Sequence, residues 1–160
     1  MGDGISRKAI VTTADRPDLV DVAAEWIWHA FWKENGYSFE EIRELVVASD
    51  AVVGPSQCMV LLVNGEPLGT AGLIASDLSS RPDLTPWLAA MYVRPDARGR
   101  GYATDLIRAV EEAATVAGFD HIWLYTFEAE GLYLKAGWQS VEQIEQNGRA
   151  ATLMRRDLKS

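Results

Sequence analysis

One cysteine, two histidines and 15 basic residues against 23 acidic ones are the scarcities that first narrow this 160-residue chain. A lone Cys58 excludes an internal disulfide and a cysteine-based metal cluster. His29 and His121 stand far apart, and nothing around them suggests a metal site. No apolar run approaches the roughly twenty residues that a membrane span requires. The polar start, from Met1 to Lys8, lacks an apolar signal core. The expectation is a cytoplasmic protein with neither membrane nor metal partners. A formal net charge of −8 disfavours nucleic acid as a partner, because that binding rests on a basic surface neutralising phosphates. An acidic surface keeps a chain soluble and can steer cations towards it.

What is present is ordinary globular material. Apolar residues make up 48% and charged residues 24% of the chain, which points to a single domain over residues 1–160 with a substantial core. Residues 8–13 have the β-branched enrichment of a strand. Asp15 or Pro17 opens a helix to about residue 33, with Leu19, Val22, Ala23, Trp26, Ile27 and Ala30 at helical spacing. Ser38 and Glu41 form a capping-box pattern for a second helix ending near Ala48. Strands over 57–63 and 68–76 flank Asn64-Gly65, a strong hairpin signal. A loop covers 77–86, a strand 87–93 and a helix the stretch to Ala117. A strand over 121–126 and a short helix over 129–136 follow. Strands over 138–146 and 150–157 flank Asn147-Gly148. The order β-α-α-β-β-β-α-β-α-β-β implies an α/β (α+β) fold, one mixed sheet with helices on its faces. Strands 87–93 and 121–126 are joined through a helix, so they should pair in parallel.

Between strand 87–93 and its helix lies Arg98-Gly99-Arg100-Gly101-Tyr102-Ala103-Thr104. A glycine turn leading into a helix N-terminus aims unpaired backbone N–H groups at one partly positive point, an anion site. Arg94, Arg98 and Arg100 add a basic cluster on an otherwise acidic chain. A Walker A loop needs Gly-Lys-Ser/Thr, whereas Gly101 is followed by Tyr102 and Ala103. The dinucleotide fingerprint needs a third glycine where Thr104 stands, and Asp120 falls before the next strand rather than at its end.

A third pattern fits. Arg98, Gly101 and Ala103 match Gln/Arg-x-x-Gly-x-Gly/Ala after Tyr92-Val93-Arg94-Pro95, and Leu132-Tyr133-Leu134-Lys135-Ala136-Gly137-Trp138 matches Leu-Tyr-x-Lys-x-Gly-Phe. Both blocks, and the helix plus strand between them, resemble the GNAT superfamily of acyl-CoA-dependent N-acetyltransferases. That resemblance implies a mostly antiparallel sheet of about seven strands, acetyl-CoA as the acyl donor and an amine of a small molecule or peptide as acceptor. It assigns the pyrophosphate to the backbone of Arg98, Gly99, Arg100, Gly101, Tyr102, Ala103 and Thr104. The pantetheine arm goes to the strand edge at Met91, Tyr92 and Val93, with Thr126 and Tyr133 closing the donor side. Arg98 and Arg100 either contact phosphates or are exposed charges.

Tyr133 is the expected general acid for the departing thiolate, since a phenol near pKa 10 can protonate a thiolate whose acid has a pKa of about 8.5. Relatives often carry a Glu base on the strand matching 87–93, yet that stretch has no carboxylate. Glu128, Glu130 and Asp77 are the nearest alternatives, each also readable as a solvated loop charge. Trp28 and Trp32, one helical turn apart, either line the acceptor pocket with Glu130 or pack between the first two helices. Glu25 lies four residues before His29 and should pair with it. The C-terminal hairpin carrying Leu153 and Met154 is open to pairing across subunits as a homodimer. A non-catalytic acyl-CoA sensor of the same fold is the alternative reading.

Overall fold

The computed structural model describes residues 7–158. Among them, seven strands form one sheet: β1 (Lys8–Thr12), β2 (Gln57–Val63), β3 (Glu66–Ile74), β4 (Trp87–Val93), β5 (His121–Thr126), β6 (Gln139–Gln146) and β7 (Arg149–Asp157). Four α-helices accompany it: α1 (Val20–Ile27), α2 (Phe39–Ala48), α3 (Tyr102–Val116) and α4 (Glu130–Lys135). Strand order across the sheet is β1-β2-β3-β4-β5-β7-β6. Only β4 and β5 run parallel; all other neighbours are antiparallel. The mixed, helix-flanked sheet is the one expected.

Both Asn-Gly turns close hairpins with positive φ at each central residue, 54° and 82° at Asn64-Gly65 and 52° and 78° at Asn147-Gly148. That is the backbone twist two-residue hairpins prefer. The capping box of α2 forms as read: Ser38 Oγ accepts from the Glu41 N–H, and Glu41 Oε1 accepts from the Ser38 N–H. β3 begins two residues earlier than expected and stops at Ile74, so the following loop covers 75–86.

The first helix departs more from expectation. α1 ends at Ile27 and continues as a wider π turn over Trp28–Trp32. A π turn adds a residue per repeat and rotates everything after it. Ala30 is therefore exposed instead of facing the core. His29 stacks edge-on against Trp28 at 4.8 Å and forms no ion pair with Glu25 among the described residues.

Side-chain alternation separates two faces. On one, Leu61, Leu73, Leu88, Ile122, Leu124 and Met154 pack with Leu106, Ile107 and Val110 of α3. On the other, Cys58, Val60 and Leu62 meet α1 and α2. Further along that second face, Trp87, Trp123 and Leu153 are covered by Leu78 and Leu84 of the 75–86 loop. Each such fully buried aliphatic side chain contributes roughly 1.5–3 kcal/mol. Leu153 and Met154 are fully buried in this chain's own core. β5 and β6 flank β7 on either side, so the outer edge of this hairpin is that of β6.

Candidate functional site

The site begins with an irregularity in β4. Thr70 pairs with Tyr92 and Gly72 with Ala89, so Ala90 and Met91 both lie opposite Ala71. Ala90 takes φ 56°, and its carbonyl accepts a 3.0 Å hydrogen bond from Thr70 Oγ1. Such a bulge bends and twists the strand that carries it. A Cβ at Gly69 would come within 2.7 Å of the Tyr92 carbonyl, so the close approach of β3 there requires glycine. β4 and β5 share a single rung, Trp87 with Trp123, and separate beyond it. The result is a wedge-shaped opening bordered by the inner backbone edges of two strands.

The glycine turn sits at the far end of β4. Gly99 and Gly101 have φ 82° and 83°, and the space where a Cβ would stand is open at both. Gly101 caps α3, and no side chain caps its N-terminus. The first-turn N–H groups therefore have no intrahelical acceptor and face outward with the helix dipole behind them. Of the three arginines expected to enrich this turn, Arg94 is already neutralised. It binds Glu66 at 2.8 Å and Asp96 at 2.6 Å. Arg98 donates from Nε to the Val93 carbonyl at 2.8 Å and lies 5.7 Å from the Tyr92 ring centroid, while remaining exposed. Arg100 is exposed beside it. Two cations, not three, are on offer. Asp105 in the first turn is matched by Lys8 at 3.1 Å.

Tyr133 lies on α4, on the same face of the sheet as α3, and is 5% exposed. Its ring meets Trp138 edge-on at 5.8 Å. Burial pushes the phenol up to about 12, so it stays protonated at neutral pH. A residue not singled out from sequence holds this arrangement. Glu111 of α3 accepts from Trp138 Nε1 at 2.9 Å and pairs with Arg108 at 2.9 Å. A charge in phase with Ile107, Val110 and Ala114 was the signal for it. Gly137 is explained here as well, since its φ of 98° strains any side chain, and beside it the Arg156 guanidinium donates to the Ala136 carbonyl at 3.1 Å. Thr126 Oγ1 accepts from the Ala129 N–H at 2.9 Å, which fixes the link from β5 into α4.

The acetyltransferase (GNAT) family model matches residues 22–138, from α1 through the second motif block. The chain belongs to the GNAT acetyltransferase family. Solved structures agree on the fold. An aminoglycoside 6'-N-acetyltransferase complexed with coenzyme A superposes with a TM-score of 0.75 at 14% identity, covering 95% of this chain and 98% of that one. The Salmonella typhimurium protein yncA, with its cofactor acetyl-CoA, gives a TM-score of 0.70 at 16% identity, covering 98% and 96%. A GNAT-family acetyltransferase from Streptococcus pneumoniae gives 0.69 at 15% identity, covering 96% and 99%. No curated protein matches the chain significantly by sequence.

On the other face of this GNAT sheet, the aromatic that reaches β4 is Trp26, whose ring lies 5.6 Å from Tyr92. Trp28 and Trp32 have other neighbours. Trp28 Nε1 donates to the Tyr37 carbonyl at 2.6 Å and its ring meets Phe39, while Trp32 meets Tyr37 at 5.1 Å. They tie the π turn to the start of α2. The three carboxylates also separate. Glu130 accepts a hydrogen bond from Ser140 Oγ, and Glu128 pairs with Arg149 at 3.3 Å on the surface. Asp77 is half-buried, with no hydrogen bond or ion pair among the described residues. Desolvation pushes its carboxyl up to about 7. Its charge helps to raise the neighbouring Tyr125 phenol, which burial chiefly pushes up to about 12.

Proposed function

We propose that this GNAT chain, acting as a single domain, transfers an acetyl group from acetyl-CoA to a primary amine of a small molecule or peptide, by direct attack. The observation that carries the reading is the wedge between β4 and β5, ending beside an uncapped helix N-terminus. The donor fits these residues on two counts. The turn offers open space above two positive-φ glycines, where a phosphate can approach backbone closely. The edge of β4 at Met91 and Val93, which lies past its last rung with β5, offers main-chain groups to an extended pantetheine arm. When bound, acetyl-CoA supplies a thioester carbonyl activated for attack.

The remaining roles belong to the chain. Backbone N–H groups from Gly99 to Thr104 hold the pyrophosphate, with Arg98 and Arg100 adding positive charge at the rim. An N–H of the bulged β4 edge stabilises the oxyanion that forms when nitrogen attacks. Tyr133 donates its proton to the departing sulfur. Its phenol is a weaker acid than a solvated one, but the dry surroundings that cause this also strengthen the thiolate's hold on a proton.

Thiol release from acetyl-CoA across a panel of amines tests the reading, for the wild type and Tyr133→Phe. The expected result is turnover by the wild type and a fall of about 10²-fold in kcat for the variant, with KM for acetyl-CoA unchanged. Binding of acetyl-CoA without turnover of any amine would instead identify a sensor of the same fold.

A further inference from the structure

We infer that Asp77 is the general base that takes the proton from a cationic amine acceptor, on the opposite face of the sheet from Tyr133. This rests on the amine-acetylation reading above.

The placement follows from the strand register. Asp77 lies three residues past the end of β3, whose last residue, Ile74, pairs with Trp87. Trp87 in turn forms the single rung to Trp123 on β5. Tyr125 is the next β5 side chain on that face, beyond the last rung and therefore at the mouth of the wedge. It stacks edge-on over Trp87 at 6.3 Å. Leu78, the residue after Asp77, packs in one cluster with Trp87 and Trp123, and Tyr125 lies against that cluster. The loop is held in place by Leu78 and Leu84, by the Trp87 Nε1 bond to the Leu84 carbonyl at 2.8 Å, and by Arg81 reaching Glu142 of β6 at 2.8 Å. Trp26 and Tyr92 stand on the same face.

Charge accounting favours a cation as the ligand. Arg81 of the same loop is already paired with both Asp83 and Glu142. Tyr125, whose phenol the Asp77 charge helps to raise, is uncharged at neutral pH. No cation of the described residues answers the Asp77 carboxylate. An incoming ammonium between this carboxylate and the Tyr125 and Trp26 rings completes the pairing. Glu130 and Glu128 are occupied by Ser140 and Arg149, which leaves Asp77 as the unengaged carboxylate of the three. A carboxyl raised to about 7 is also basic enough to share a proton at physiological pH.

The proton count closes. The ammonium gives one proton to the Asp77 carboxylate, and its freed lone pair forms the C–N bond at the thioester carbonyl. The C–S bond then breaks. The second amine proton ends on the thiol through Tyr133, and Asp77 returns its own proton to solvent.

The test measures kcat from pH 5.5 to 9.5 for the wild type, Asp77→Asn and Asp77→Glu. One acceptor is a primary alkylamine, charged over most of this range; the other is an arylamine, neutral throughout. Expected is a loss of about 10²–10³-fold for Asp77→Asn with the alkylamine and less than tenfold with the arylamine. The wild-type acidic limb near pH 7 should vanish in Asp77→Asn and return in Asp77→Glu, with KM for acetyl-CoA constant. An Asp77→Asn enzyme within threefold of wild type that keeps its acidic limb overturns the assignment and leaves amine acetylation standing. A wild type that acetylates neither amine overturns the parent reading, and the role of Asp77 with it.

Discussion

On the α3 side of the β4–β5 wedge stand backbone N–H groups, two exposed arginines and a protonated phenol. On the α1 side stand the rings of Trp26, Tyr92 and Tyr125 and the Asp77 carboxylate, which has no partner among the described residues. The first side is furnished with donors and positive charge, the second with an acceptor and negative charge. A sheet that opens between two parallel strands can keep such environments apart while both border the same gap. On the proposed assignment of Tyr133 and Asp77, the acid and the base of one transfer reaction reach the same atoms from opposite faces of the sheet.

The comparison can be broken most strongly on the donor side. Gly101→Ala places a Cβ in a left-handed conformation at φ 83°, in otherwise open space. The strain is about 1–2 kcal/mol, and relieving it reorients the N–H groups ahead of α3. Affinity for CoA measured by calorimetry should fall at least tenfold, whereas the Asp77 carboxyl, followed by carbon NMR titration, should keep its raised pKa. A matching loss on both sides would mean that the two environments are not separate.

Next in size is the stability cost of the acceptor side. The folded-state pKa of Asp77, about 7, lies above its value in the unfolded chain, so folding favours the protonated form. Its contribution is fully present below about pH 4 and is lost as pH rises through 7. Asp77→Asn should therefore unfold later than wild type at pH 8, by about 4 kcal/mol, and together with it at pH 4. Urea denaturation at the two pH values checks this. A variant that loses activity while gaining stability separates a functional group from a packing one.

The smallest effect tests the trimming of the basic cluster. Arg94→Ala should change CoA affinity less than twofold, because Glu66 and Asp96 already hold its charge. Its stability should fall by no more than about 1 kcal/mol, as is usual for exposed ion pairs. Arg98→Ala should weaken CoA binding more than Arg94→Ala does. The reverse order would restore Arg94 to the anion site.

The elements of local origin were largely legible from the chain. The hairpins at Asn64-Gly65 and Asn147-Gly148, the Ser38–Glu41 box and the α3 stripe rest on dihedral preference and periodicity, which act over a few residues. The π turn after Ile27 was not legible, because its added residue leaves the apolar spacing ambiguous. Trp28 and Trp32 illustrate the consequence, since a one-residue rotation decides which neighbours an indole meets.

By itself, the sequence determined the element order, the parallel β4–β5 connection and the two motif blocks that mark the family. Those properties are carried by contiguous stretches of chain. Tertiary structure alone decided which charges are spent and which are free. Arg94, Glu128 and Glu130 each find a partner distant in sequence or across a turn, while Asp77 finds none among the described residues. Register at the β4 bulge, the covering of Trp87 and Trp123 by the 75–86 loop and the single rung between β4 and β5 set the surroundings of that carboxylate. Each of these is a long-range pairing, and none is written in the residues next to Asp77.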